Sequence, residues 1–149
     1  MKKVLVTGGC GFIGSNLVDI LISQGYEVSV IDDMSSGFGE NRNSNAKYYT
    51  ADVCRIFSLP LEEIDIIFHL AAEARIQPSY DRPLRWQQAN ILGTSTVCDW
   101  ARQNKCKIVY AGSSSCYGGK FMNPYTFSKK IGEEICEMYS RVYGISTVT

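Results

Sequence analysis

The chain has 149 residues, 45% of them hydrophobic, and lysine plus arginine balance aspartate plus glutamate at 15 each, for a formal net charge of zero. That length supports one domain with a substantial core and is short for two. No basic stripe indicates nucleic acid and no apolar run approaches membrane-spanning length. The apolar stretch after Lys2-Lys3 meets glycines too early for a signal peptide, so a cytoplasmic location is expected.

Strand-like and helix-like segments alternate along the chain, the pattern of a parallel sheet covered by helices. The first strand is read at Lys3–Thr7 and runs into Thr7-Gly8-Gly9-Cys10-Gly11-Phe12-Ile13-Gly14, where a helix over 12–24 begins. Gly9, Gly11 and Gly14 satisfy G-x-G-x-x-G, and Gly8, Gly11 and Gly14 satisfy G-x-x-G-x-x-G. Glycines at these places allow a tight turn, close approach of a pyrophosphate and packing of helix on strand, while the helix start offers free N–H groups to phosphate. The second strand, Glu27–Ile31, ends in Asp32-Asp33, 18 and 19 residues beyond Gly14. A carboxylate there accepts hydrogen bonds from adenosine ribose hydroxyls and repels a 2′-phosphate, which favours NAD over NADP.

Met34–Asn45 is rich in Ser, Gly and Asn and reads as a loop. Further strands are expected at Lys47–Thr50, Ile64–Leu70, Lys107–Ala111 and Ile145–Thr149, with helices at about 83–104 and 124–143. In the last helix Ile131, Ile135, Met138 and Val142 form an apolar stripe expected to face the sheet. Gly25 and Gly144 are placed to cap helix C-termini.

Six cysteines lie scattered at 10, 54, 98, 106, 116 and 136 without C-x-x-C spacing, and His69 is the single histidine. No metal site is expected from this pattern, and the thiols read as buried, reduced residues. Cys10 and Cys116 fall beside the expected cofactor site without an assigned role.

Tyr125 and Lys129, four residues apart on the last helix, share a face one turn apart. The ammonium there favours the phenolate, and a hydroxyl from the preceding Ser113-Ser114-Ser115 cluster can hold a substrate oxygen. This suits alcohol–ketone chemistry beside a nicotinamide. His69, at a strand end, reads as structural or cofactor-adjacent, and Glu73 and Arg75 after it read as solvated surface or as ligand contacts.

With these residues in place, the chain resembles the extended short-chain dehydrogenase/reductase family, in particular the NAD-dependent nucleotide-sugar epimerases and dehydratases. The likeness covers essentially the whole chain: T-G-G-x-G-F-I-G, Asp32-Asp33-Met34-Ser35-Ser36-Gly37, His69-Leu70-Ala71-Ala72, and Asn90-Ile91-Leu92-Gly93-Thr94. It implies a Rossmann-type α/β fold, a doubly wound parallel sheet in a three-layer single domain. NAD is the implied cofactor. Its implied contacts are Gly8, Gly11, Phe12, Ile13, Gly14, Asp32, Asp33, Ser35, Ser36, Gly37, Asp52, Val53, Leu70, Ala71, Ala72, Asn90, Tyr125 and Lys129. Alignment on Tyr117-Gly118 implies Ser113, Tyr125 and Lys129 as catalytic residues: Tyr125 moves the proton of a sugar hydroxyl, Ser113 holds that oxygen, and Lys129 holds the nicotinamide ribose and lowers the tyrosine pKa.

Family dehydratases and decarboxylases carry acids one or two places after the serine position, whereas this chain has Ser114 and Ser115, which tilts the expectation toward 4-epimerisation of a UDP-sugar. Two departures stand out. Family members are considerably longer, their C-terminal region supplying most sugar-nucleotide contacts, so residues 1–149 are expected to be the NAD-binding domain without the substrate domain. The Ser113-to-Tyr125 interval, 12 positions, is shorter than usual, with Lys120, Phe121 and Met122 filling the loop near the nicotinamide end. A homodimer through helices 83–104 and 124–143 is expected. The alternatives are an NAD-binding module without turnover and a dehydratase or reductase of the same family.

Overall fold

Val4, Val6, Val28 and Val30 point to one side of the first two strands, and Leu5 and Ile31 to the other, all of them buried. Apolar residues on both faces of a strand require cover on both faces, which a parallel sheet between helices provides. The computed structural model describes residues 2–149 and shows this arrangement. The elements are β1 (Lys3–Thr7), α1 (Phe12–Ser23), β2 (Glu27–Asp32), β3 (Lys47–Thr50), β4 (Ile66–His69), α2 (Gln77–Asp81), α3 (Pro83–Trp86), α4 (Gly93–Asn104), β5 (Lys107–Tyr110), α5 (Pro124–Tyr143) and β6 (Thr147–Val148). The six strands pair in the order β3-β2-β1-β4-β5-β6, every pair parallel. The strand order reverses between β1 and β4, which opens a crevice at their C-terminal ends.

The expected Rossmann-type α/β fold is therefore present, with shorter ends. The fourth strand is Ile66–His69 rather than Ile64–Leu70, the fifth ends at Tyr110 rather than Ala111, and the sixth is Thr147–Val148 rather than Ile145–Thr149, while the second runs one residue further, to Asp32. Ladder-like bonds continue past two of these ends: Leu70 N–H donates to Thr7 O, and Ile108 N–H to Ser146 O. Gly25 (φ 82°) and Gly144 (φ 72°) adopt the left-handed conformation at the ends of α1 and α5, as their positions suggested. The Met34–Asn45 loop includes one 3-10 turn, Gly39–Asn41.

Two differences concern the helices over 83–104 and 124–143. The first is continuous but not uniform: α3 passes into a π-helical turn, Gln87–Leu92, before α4 begins. In the second, the stripe Ile131-Ile135-Met138-Val142 is not the buried face: Ile135 packs partly against the core, but the stripe does not run along the sheet. Met138 and Val142 are exposed, and the buried positions of α5 are Thr126, Ser128, Lys129, Gly132 and Cys136. The reason is close packing on β5. A Cβ built on Gly132 would lie 2.2 Å from the Tyr110 hydroxyl oxygen, so only glycine lets the helix approach this near. The larger aliphatic side chains are rotated off this contact.

Burial falls along one row of the sheet. Val6, Phe68, Val109 and Val148 are register neighbours across β1, β4, β5 and β6. Val6 is fully buried and Val148 is 59% exposed. The cover on that face is α1, packed around β1 and β2.

Gly132→Ala is expected to destabilise the chain by about 1–3 kcal/mol, because Tyr110 is confined and cannot yield to the added methyl. Urea denaturation checks this; an unchanged midpoint contradicts the close-packing account.

Candidate active site

The glycine loop leaves β1 through Gly8, whose φ of 74° is a left-handed turn. Its N–H donates to Ile31 O at 2.8 Å. A Cβ on Gly8 would meet Ala71 N at 2.8 Å, and one on Gly14 would meet Gly8 O at 2.1 Å, so both positions require glycine. Gly11 differs: a Cβ there meets only Gly8 O, at 3.5 Å, and the space above the loop is open. Gly11 is the N-cap of α1 and offers no side-chain cap, so the first-turn amides of Phe12, Ile13 and Gly14 remain without an intrahelical acceptor. An uncapped helix start under an open glycine cradle fits a pyrophosphate. Phe12 and Ile13 are exposed beside it.

The two aspartates after β2 have separate surroundings. Asp32 is buried and braces the loop, its Oδ2 accepting Cys10 N–H at 2.9 Å and its Oδ1 accepting Met34 N–H at 2.8 Å. Asp33 is exposed and accepts Ser35 N–H at 2.9 Å. Ser35 and Ser36 are exposed, while Gly37 packs against Cys10 and Asp32. Cys10 is the residue whose role the sequence did not show. Its carbonyl accepts from Asn41 Nδ2 at 2.8 Å and from Phe38 N–H at 3.2 Å, tying the 34–45 loop to the glycine loop through backbone atoms.

Of the other expected cofactor contacts, Asp52 caps a 3-10 turn by accepting Cys54 N–H, and Val53 is buried in the core against Gly93. Leu70, Ala71 and Ala72 are half-buried at the C-terminal end of β4. Asn90 is 1% exposed and its side chain is engaged inside the protein. It accepts Glu73 N–H at 2.8 Å and donates to Glu73 O at 3.0 Å and Ser128 Oγ at 2.9 Å. Ser128 in turn donates to Tyr125 O. Asn90 thus clamps the loop after β4 to the first turn of α5. Glu73 is ion-paired with Arg85, and Arg75 is exposed in a left-handed conformation with φ 76°.

His69 is buried in a chain of hydrogen bonds. Thr94 Oγ1 donates to Asn90 O at 2.6 Å, so it accepts from His69 Nε2–H at 3.1 Å, and Nδ1 then accepts from Thr7 Oγ1 at 2.7 Å. Thr7 Oγ1 also accepts Ala71 N–H. Burial, reinforced by the charge of Lys129, pushes the imidazole down to about 3, so it is neutral. It serves to join β1, β4 and the π-helical turn, as the structural reading expected.

Ser113, Tyr125 and Lys129 come together at the C-terminal end of β5. Ser113 caps a 3-10 turn over Ser114–Gly118, and its Oγ lies 3.3 Å from Tyr125 Oη. The start of α5 is fixed three ways. Asn123 Oδ1 accepts Thr126 N–H, Pro124 occupies the first turn, and Ser79 Oγ from α2 accepts Tyr125 N–H at 3.2 Å. Neither α2 nor the Ser79 contact was legible, since the contact spans 46 positions.

Lys129 is 4% exposed. Its Nζ donates to Ala111 O at 2.6 Å and sits 4.3 Å from the centre of the Tyr110 ring. Burial pulls its pKa down to about 8, against the attraction of Glu133. At neutral pH the group is still mainly cationic. The shortened loop leans on α5, with Lys120 paired to Glu134 and Phe121 stacked on Phe127. A groove of about 360 Å³ lined by Lys130, Glu133, Glu137, Arg141, Thr147 and Thr149 runs between α5 and β6, and it includes none of the three catalytic candidates. Among the described residues no cluster of His, Cys, Asp and Glu suits a metal ion, and no helix is long and apolar enough to cross a membrane.

A doubly wound sheet with an open glycine cradle after β1 and a Ser–Tyr–Lys group at the C-terminal end of β5 is the arrangement of a nicotinamide-dependent enzyme class. Residues 4–149 match the model of the NAD dependent epimerase/dehydratase family, and the chain belongs to that family, with NAD as its cofactor. It is similar to a UDP-glucose 4-epimerase of Mycolicibacterium smegmatis, 33% identical over 96% of this chain and 53% of that protein. It is also similar to UDP-glucuronic acid decarboxylase 1 of Danio rerio, 27% identical over 97% of this chain and 39% of that protein. Among solved structures, a UDP-glucose 4-epimerase of Thermotoga maritima with UDP-glucose superposes with TM-score 0.90 at 33% identity, covering 97% of this chain and 53% of that one. A UDP-glucose 4-epimerase of Brucella ovis in complex with NAD gives TM-score 0.90 at 26% identity over 99% and 50%. The chain spans about half the length of the relatives and structures it matches.

Lysine ordinarily titrates near 10.5, and here the folded state holds the proton less tightly than the unfolded one. The unfolded chain therefore binds more protons between pH 8 and 10.5, and stability rises with pH across that window. The destabilisation is complete below pH 8. Lys129→Met is expected to raise stability at pH 7 by about 1–3 kcal/mol, with the advantage shrinking by pH 10. Urea unfolding at both pH values measures it; an equal or larger gap at pH 10 contradicts the buried-cation account.

Proposed function

We propose that this chain carries the hydride-transfer centre of an NAD-dependent nucleotide-sugar epimerase, acting on C4 of a UDP-sugar. The observation that carries the reading is the 3.3 Å approach of Ser113 Oγ to Tyr125 Oη, one helical turn before the buried Lys129. Tyr125 as phenolate accepts the proton of the C4 hydroxyl, and returns it when the alcohol is re-formed. Ser113 donates a hydrogen bond to that oxygen.

Bound NAD supplies the reversible hydride acceptor at C4. The residues that fit it are the glycine loop with the first-turn amides of Phe12 and Ile13, the exposed carboxylate of Asp33, and the Leu70–Ala72 segment. Ser114 and Ser115 stand where elimination or decarboxylation calls for an acid, and a hydroxyl is not a general acid near neutral pH. This supports epimerisation over the dehydratase and decarboxylase reactions of the family.

Residues 1–149 serve in this reading as the NAD-binding domain. Exposed Leu84 and Leu92 on one helical segment and Met138 and Val142 on α5 supply apolar surface for a homodimer. Six free thiols suit a reducing compartment such as the cytoplasm.

A second reading, an NAD-binding module without turnover, has its own support. Tyr117 is 94% exposed and Phe121 81%, so the segment nearest Ser113 and Tyr125 is left uncovered. Incubation with NAD and UDP-galactose or UDP-N-acetylgalactosamine is expected to yield the C4 epimer. Tyr125→Phe should lower the rate by about 10²–10⁴-fold while NAD affinity is retained. NAD binding without conversion of UDP-, GDP- or dTDP-sugars would establish the second reading instead.

A further inference from the structure

Ser113 Oγ has three hydrogen-bonding neighbours: Ser115 N at 3.3 Å, Ser115 Oγ at 2.8 Å and Tyr125 Oη at 3.3 Å. A serine hydroxyl has one proton to give and two lone pairs to receive. Ser115 N–H occupies one lone pair whatever the state of the site. One lone pair and one proton then remain for the two hydroxyls of Ser115 and Tyr125, so these must take opposite roles. When Tyr125 is a phenolate it can only accept. Ser113 then donates to it, and Ser115 Oγ–H donates to Ser113. When Tyr125 is a phenol it can donate to Ser113, which then donates to Ser115. The chain of hydroxyls reverses direction each time Tyr125 gains or loses its proton.

From this constraint we infer that Ser115 is a positioning residue for proton transfer: in the substrate-free site it acts through Ser113 to hold that single hydroxyl proton toward the phenolate of Tyr125, and the same proton turns to the C4 oxygen when substrate is bound. Ser114, between them in sequence, is exposed and makes no such contact among the described residues. The two serines that follow Ser113 are therefore inequivalent, a distinction their sequence positions do not show. Hydrogen bonds that feed an ionised acceptor polarise one another, so Ser115 stabilises the phenolate more than the phenol. The inference rests on the assignment of Tyr125 as acid/base but not on the identity of the sugar.

The charged and titratable groups around this chain of hydroxyls are Lys129 and Glu133 on α5, Glu133 facing Ser113 N–H at 3.5 Å, and the Cys116 thiol on the 3-10 turn. All stay in place in the variants below.

The test is titration of Tyr125 in the 149-residue chain labelled with ring-¹³C tyrosine, its NMR signal assigned by loss in Tyr125→Phe. Ser115→Ala is expected to raise the Tyr125 pKa by roughly half a unit, and Ser115→Thr to restore it. Ser113→Ala should raise it by about one unit or more. In the Ser113→Ala background, Ser115→Ala should add nothing, because its effect passes through Ser113. Unchanged amide spectra show that the variants fold. An unshifted Tyr125 in Ser115→Ala, or an equal shift in the Ser113→Ala background, would overturn the inference. No substrate is present in this measurement, so the outcome is independent of whether UDP-sugars are converted.

Discussion

The contact between Gly132 and Tyr110 sets the geometry on which the site depends. Because α5 has no side chain at that point, it lies against the ring of the last residue of β5. One turn earlier on the same face, Lys129 is carried into the interior, over that ring and onto the carbonyl of Ala111. A further turn back, Tyr125 reaches Ser113, two positions beyond Ala111 on the segment leaving β5. A single close approach of helix to strand therefore places a phenol, a cation and a hydroxyl together, the three groups to which the proposed chemistry is assigned. It also requires burying an ammonium, which draws the pKa of Lys129 down toward 8. Burying that charge costs stability, a cost that the proposed role of Lys129 in the site would explain.

Around this contact the buried polar groups form a connected framework. Thr7, His69, Thr94 and Asn90 link the end of β1, the end of β4 and the π-helical turn, and Asn90 and Ser128 continue the link to Tyr125. Each member has a partner, so the network joins the glycine loop to the first turn of α5, which carries Tyr125, without an uncompensated charge. The π turn has a use in this setting: such turns often occur at functional sites, and this one holds Asn90 where it reaches both Glu73 and Ser128.

Much of this was legible in the residues themselves, for definite reasons. The glycine loop, Asp32-Asp33 and the Tyr125–Lys129 pair declare themselves through short spacings on one element or across one turn. Parallel pairing under a cover of helices is legible from the alternation of segments. What escaped detection depends on distant contacts. The apolar stripe of α5 was assigned to the sheet because aliphatic periodicity is the usual mark of a buried face. Here a glycine, a cysteine, a serine and the stem of a lysine form that face instead. Cys10 joins two loops by its backbone, which no side-chain pattern encodes. Asn90 carried a family signature for the cofactor site, but its partners lie 17 and 38 positions away and turn its side chain inward.

In the proposed reading the glycine cradle and the Ser113–Tyr125–Lys129 group form one site that NAD spans. A crystal structure of the chain with NAD tests it most directly. The account places the pyrophosphate over Gly11–Gly14, the adenosine ribose at Asp33, and the nicotinamide ribose in contact with Lys129 and Tyr125. NAD bound away from Tyr125 and Lys129, or absent from the glycine loop at saturating concentration, would contradict it.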